Sequence, residues 1–78
     1  MPRYFFHMRS DAGFIRDPEG SELPDLEAAR AEAIVSARHL LADMLKHGRE
    51  VDGQAFEIAD EADEVLARIP FRSVLKLP

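Results

Sequence analysis

Cysteine is absent from the 78 residues, which excludes disulfides, cysteine nucleophiles and thiolate metal ligands. Without a staple, a chain of this length rests on one modest core worth roughly 3–5 kcal/mol. Long apolar runs are also missing. No segment approaches the roughly 20 apolar residues a membrane-spanning helix needs. The opening MPRYFFHMR is apolar for too short a stretch, and charged too soon, to read as a signal peptide. The expectation is one small, soluble, cytoplasmic domain. Basic charge is scarce: 10 Lys and Arg stand against 15 Asp and Glu, a net charge of −5. The overall positive footprint that a phosphate backbone calls for is therefore missing. There is no glycine-rich phosphate loop, and Ser10, Ser21, Ser36 and Ser73 sit in no nucleophile elbow. Carboxylates are abundant, but nothing in their spacing pairs them for acid/base work. Neither enzymatic activity nor a cofactor is expected.

What is present is a strong helix from Asp25 to Lys46-Gly48. Pro24 breaks the preceding chain, and the Asp25 carboxylate is placed to cap free N–H groups at Glu27 or Ala28. Glu27 suits the positive end of the helix dipole, and Lys46 and His47 suit the negative end. Gly48 can take the left-handed conformation that closes many helices. At 100° per residue, Leu26, Ala29, Ala33, Ala37, Leu40, Leu41 and Met44 form one apolar stripe, with Ile34 and Leu45 on its flank. Alanines in the first half allow a sheet to approach closely. Val35 points away from the stripe.

Around the helix lie short alternating segments. Arg3 to Arg9 reads as a strand with Tyr4, Phe6 and Met8 on one face and Phe5 and His7 on the other. The turn chemistry of Ser10-Asp11-Ala12-Gly13 returns the chain into Phe14 to Asp17. Asp17-Pro18-Glu19-Gly20 has the residues of a β-turn, and Leu23 is expected under the first helical turn. Beyond the helix, Gln54 to Asp60 places Phe56 and Ile58 opposite Ala55, Glu57 and Ala59. Glu61-Ala62-Asp63 turns back into Glu64 to Ile69, with Val65, Ala67 and Ile69 on one face. Phe71, Val74 and Leu75 fall at i, i+3 and i+4, as one helical turn would place them. The fold expected is α+β: a two-layer ββαββ arrangement of antiparallel hairpins packed on one long helix.

The opening MPRYFFH, the middle DPEGSELPDLEAARAEA and the closing strand ending in IPF resemble a family of short bacterial proteins classed as a domain of unknown function. The resemblance covers nearly the whole chain and rests on turn, cap and strand patterns. Members often carry glycine in the second hairpin turn, where this chain has Glu61-Ala62-Asp63. The resemblance implies the architecture and no activity, cofactor or site residues.

Three constellations carry possible chemistry. His39, Asp43 and His47 recur every four residues along the polar helix face, a spacing that could offer three ligands to a divalent metal; ordinary solvated helix pairs are the plainer reading. Glu57, Asp60, Glu61, Asp63 and Glu64 form an acidic cluster without the spacing of a calcium loop. Tyr4, Phe5 and Phe6 between Arg3 and Arg9 could stack bases, against the prevailing acidic charge. His7, mid-strand among aromatics, is expected to be packed with one nitrogen satisfied.

The function these features favour is a non-catalytic interaction module that associates with itself, as a homodimer. The first strands are apolar on both faces, and one helix covers only one. A helix of about 33–36 Å also overhangs strands of about 20 Å. Its overhang of Leu40, Leu41, Met44 and Leu45 needs cover from the C-terminal turn or a second chain. A divalent-metal or small-ligand sensor on the polar helix face is the alternative, and a nucleic-acid-binding sheet a further one.

Overall fold

The computed structural model describes residues 1–51 and 53–75. Its core is an antiparallel sheet with one helix laid across one face. The strands are β1 (Arg3–Ser10), β2 (Gly13–Ile15), β3 (Ser21–Glu22), β4 (Ala55–Ala59) and β5 (Val65–Pro70), with helix α1 (Leu26–Lys46) between β3 and β4 and a 3₁₀ turn at Phe71–Val74. The path across the sheet runs β2-β1-β4-β5, and β3 also pairs with β1. The two hairpins therefore join through β1 and β4, in the register Phe5↔Ala59, His7↔Glu57 and Arg9↔Ala55. The ββαββ order holds, with the two-residue β3 added. Ser21 and Glu22, expected only to lead into the helix, pair with Tyr4 and Arg3.

The helix ends are made by the residues expected to make them. Asp25 Oδ1 accepts from the Ala28 N–H at 2.8 Å. At the other end Gly48 has φ +70°. Its N–H reaches Leu45 O at 3.1 Å, and the Arg49 N–H reaches Met44 O at 2.8 Å. This pair of backward bonds satisfies carbonyls the helix itself leaves open, the Schellman arrangement.

Ala29, Ala33 and Ala37 have no exposed surface, so the alanine half of α1 meets the sheet at backbone distance. Tyr4, Phe56, Ile58, Ala67 and Ile69 face it, and Leu41, Phe71 and Val74 close the far end of the core. The helix lies chiefly over β4, β5 and the 3₁₀ turn. Two expected core positions are not in the core. Leu45 is 60% exposed, because the 3₁₀ turn covers only the side of the helix that holds Leu41. Val65 is 52% exposed. A register shift between Ile58 and Ala59 pairs Val65 with Ala59, which rotates Val65 away from the face shared by Ala67 and Ile69.

Candidate functional site

Between Tyr4 and Met8 the outer edge of β1 lacks a strand: β3 pairs with Arg3 and Tyr4, and β2 with Met8, Arg9 and Ser10. Asp17 fills the gap. Its Oδ2 accepts from the Phe6 N–H at 3.1 Å, and its Oδ1 accepts from the N–H groups of Glu19 and Gly20 at 3.3 and 3.2 Å. One carboxylate thus patches the edge of β1 and shapes the Asp17-Pro18-Glu19-Gly20 turn. Burial pushes the Asp17 pKa up, but the three N–H groups, from Phe6, Gly20 and Glu19, outweigh it and hold the group below the ordinary aspartate value.

Gly20 completes the turn at φ +70°. A Cβ there would lie 2.9 Å from both Tyr4 O and Phe5 Cε1. Gly20→Ala is expected to cost about 1–2 kcal/mol from the left-handed backbone alone, with the approach to the Tyr4 carbonyl in addition. Urea unfolding of the variant checks this; an unchanged midpoint would contradict the geometry.

The backbone N–H of Asp17 points at the open sheet face and donates to His7 Nδ1 at 3.0 Å. A neutral imidazole that accepts at Nδ1 carries its proton on Nε2. His7 is only 2% exposed, and its Nε2 has no hydrogen-bond partner among the described residues. Asp63 Oδ1 lies 3.6 Å from it, within electrostatic range but long for a hydrogen bond. An orphaned buried donor costs about 1–3 kcal/mol. Phe5 stacks on the His7 ring at 6.2 Å between centroids, and Phe14 meets it at 5.4 Å and a tilt of 55°.

Asp63 occupies the second hairpin turn with φ +63°, a left-handed conformation that aspartate tolerates better than most side chains. The two Asp63 oxygens face Arg16 Nη1 and Nη2 at 3.3 and 3.4 Å. The Arg16 guanidinium, by hydrogen bonding and charge, holds the Asp63 carboxyl below its ordinary value. Asp60 braces the same turn, its Oδ1 accepting from the N–H groups of Ala62 and Glu64, both at 2.9 Å. Together the Asp17 turn and the Asp63 turn form the walls of a concavity of about 250 Å³, with Phe5 and His7 at its base.

A second concavity, of about 360 Å³, lies on the helix side of the sheet. Because α1 sits over β4 and β5, its Leu40 and Met44 project beside Met8 and Ile15 without closing on them. Ile15 is 63% exposed. Asp43, Arg49 and Glu50 stand at the rim.

The chain's match to protein families falls across residues 3–72, to a model described as a domain of unknown function, DUF6894. This chain belongs to the DUF6894 family. No curated protein and no solved structure matches it.

Of the sequence candidates, His39, Asp43 and His47 stay on the exposed helix face. His47 is the helix cap, and its Nδ1 turns back to the Asp43 carbonyl oxygen at 2.9 Å. Its distance to Asp43 Oδ1 is 3.6 Å, and among the described residues no three His, Asp or Glu side chains are gathered to hold a metal ion. The acidic cluster is divided: Glu57 pairs with Arg9 at 2.8 Å, and Asp60 and Asp63 serve the turn. The aromatic platform is split by strand alternation. Tyr4 is buried against the helix and Phe6 lies on the same side, which leaves Phe5 and Phe14 on the open face, with Arg9 4.6 Å over the Phe14 ring. His7 is packed with one nitrogen satisfied, as expected. The Asp17 and Asp63 contacts to it were not foreseen, since they depend on how two turns distant in sequence fold over one strand.

Proposed function

We propose that this protein is a non-catalytic, cytoplasmic interaction module that forms a homodimer through the groove between α1 and the β1–β2 hairpin. The observation that carries this reading is the open apolar seam of Met8, Ile15, Leu40 and Met44, with Ile15 more than half exposed. Two other parts of the expected case for self-association are met within the chain. The Asp17 turn covers part of the second sheet face, and the 3₁₀ turn covers Leu41. What remains uncovered is the Leu40–Met44 side of the overhang.

A second copy suits the groove because its rim carries both signs of charge. In a two-fold pairing, Arg49 of one copy can approach Asp43 or Glu50 of the other, as a self-complementary interface requires. Joining two small cores would also relieve the modest stability a chain of this length can reach. His7 supports a non-catalytic reading of the opposite face, since its Nδ1 is occupied by the Asp17 N–H and, among the described residues, no serine hydrogen-bonds to it.

Sedimentation of the wild type at micromolar concentration should give a dimer, and Ile15→Glu a monomer. A substitution at so exposed a side chain changes the monomer's own stability within about 0.5 kcal/mol, so the variant should keep its far-ultraviolet spectrum. A wild type that is monomeric at this concentration would overturn the proposal.

A further inference from the structure

The outer face of α1, turned away from the sheet, carries a pattern of its own. Ala31, Val35, Arg38, Ala42 and Leu45 are all exposed and recur at alternating steps of four and three, the spacing of a coiled-coil seam. Val35 is 48% exposed and Leu45 60%. Two hollows follow one another along this seam. Val35, Arg38, His39 and Ala42 line the first, of about 320 Å³. Arg38, Leu41, Ala42 and Leu45 line the second, of about 310 Å³, with Val74 and Leu75 at its side. In both, the four helical residues stand at i, i+3, i+4 and i+7, the set that makes a hole for one knob of a facing helix. Glu32, His39 and Lys46 run along one flank of the seam. Glu32, Arg38 and Lys46 make no salt bridge among the described residues.

We propose that this seam is a helix-docking surface and that its partner is the same seam of a second copy, laid antiparallel. Packing Val35 on Leu45 of the second copy sets Arg38 over Ala42 of that copy in the next layer, so that a large side chain fills the space a small one leaves. The Arg38 stem covers Ala42 while its guanidinium reaches water. The same register brings Glu32 of each copy beside Lys46 of the other, two opposite-charge pairs related by a two-fold axis. A parallel pairing is opposed on both counts: it stacks Arg38 on its own copy and sets Glu27 beside Glu32. The seam spans about 21 Å of helix, with Val35 and Leu45 as its large apolar side chains. So small a contact pairs weakly, with a dissociation constant on the order of 0.1–1 mM. It shares no residue with the groove between α1 and the β1–β2 hairpin. It therefore stands independently of the function proposed above, and a chain with both surfaces assembles beyond the dimer.

Ile15→Glu, which disables the groove, isolates this surface. Sedimentation of that full-length variant from micromolar concentration to about 1 mM should show monomers giving way to dimers. Adding Leu45→Lys should weaken the pairing about tenfold or more, since it sets an unpaired charge at both Val35 contacts. The side chain is exposed, and lysine suits the last helical turn, so the fold is kept. Glu32→Lys should weaken the pairing about tenfold by turning both attractions into repulsions. Glu32→Lys with Lys46→Glu should restore it, a recovery that the antiparallel register alone predicts. Ile15→Glu that stays monomeric throughout the range, dimers indifferent to Leu45→Lys, or a charge swap no tighter than Glu32→Lys would each overturn the proposal. Ile15→Glu dimers that persist at micromolar concentration and disperse with Leu45→Lys would uphold it and overturn the groove dimer instead.

Discussion

Phe71→Ala is expected to lower the unfolding free energy by about 3–5 kcal/mol, the range for removing a buried phenylalanine. The ring is 1% exposed, lies 5.1 Å from the Phe56 ring at 51°, and packs beneath the C-terminal half of α1. Its backbone N–H also extends the sheet, donating to Gln54 O at 2.9 Å, and alanine keeps that bond. The loss is therefore a packing loss. Its size is comparable with the whole stability a core of this size supplies, so the variant should be largely unfolded at 25 °C. Equilibrium denaturation of the wild type and circular dichroism of the variant measure it. A loss under about 1 kcal/mol would mean that this turn does not close the core, since even modest core truncations exceed that.

Asp17→Ala should cost about 2–4 kcal/mol, because it strips acceptors from the N–H groups of Phe6, Glu19 and Gly20 at once. The Phe6 N–H is the costliest of the three, being part-buried on an edge that β2 and β3 do not reach. The same carboxylate gives the stability a pH dependence. Its folded pKa is depressed, so the unfolded chain binds the proton more readily. The stabilisation is complete above the ordinary aspartate value of about 3.9 and is lost as pH falls through the lower folded value. Asp63 shifts in the same direction, but it is exposed and its pairing with Arg16 is screened, so Asp17 should dominate. Unfolding midpoints should fall steeply below about pH 4 in the wild type and less steeply in Asp17→Asn. Parallel profiles for the two would remove Asp17 as the cause.

The parts of this fold that could be read from the sequence are those set by near neighbours. The caps at Asp25 and Gly48, the alanine stripe of α1, and the alternation in β1 and β4 all follow from residues within a turn or two of one another. Phe71 and Val74 were legible for the same reason. Val65 was not, because the strand carries one extra residue, Leu66, opposite the step from Ile58 to Ala59, and nothing in the Glu64–Ile69 pattern records that shift. β3 is only two residues long and exists because β1 offers it an edge. The site over His7 depends most on distant partners. A histidine between aromatics in a strand signalled burial, but the Asp17 N–H on one nitrogen and Asp63 beside the other come from opposite ends of the chain. The aspartate in Asp17-Pro18-Glu19-Gly20 read as a turn residue. Its second task, patching the edge of β1, shows only once the strand order is known.

That strand order also governs how the chain comes into being. The central seam unites Phe5–Arg9 with Ala55–Ala59, segments from opposite ends of the chain, so the sheet closes last and only after a large loop has been gathered. During synthesis β1 leaves the ribosome early, rich in aromatic side chains and paired only with short strands on one edge. It must wait for β4 while the whole helix is made. For that interval it is an exposed sticky strand, and yield in a cell should depend on how quickly the second hairpin follows it.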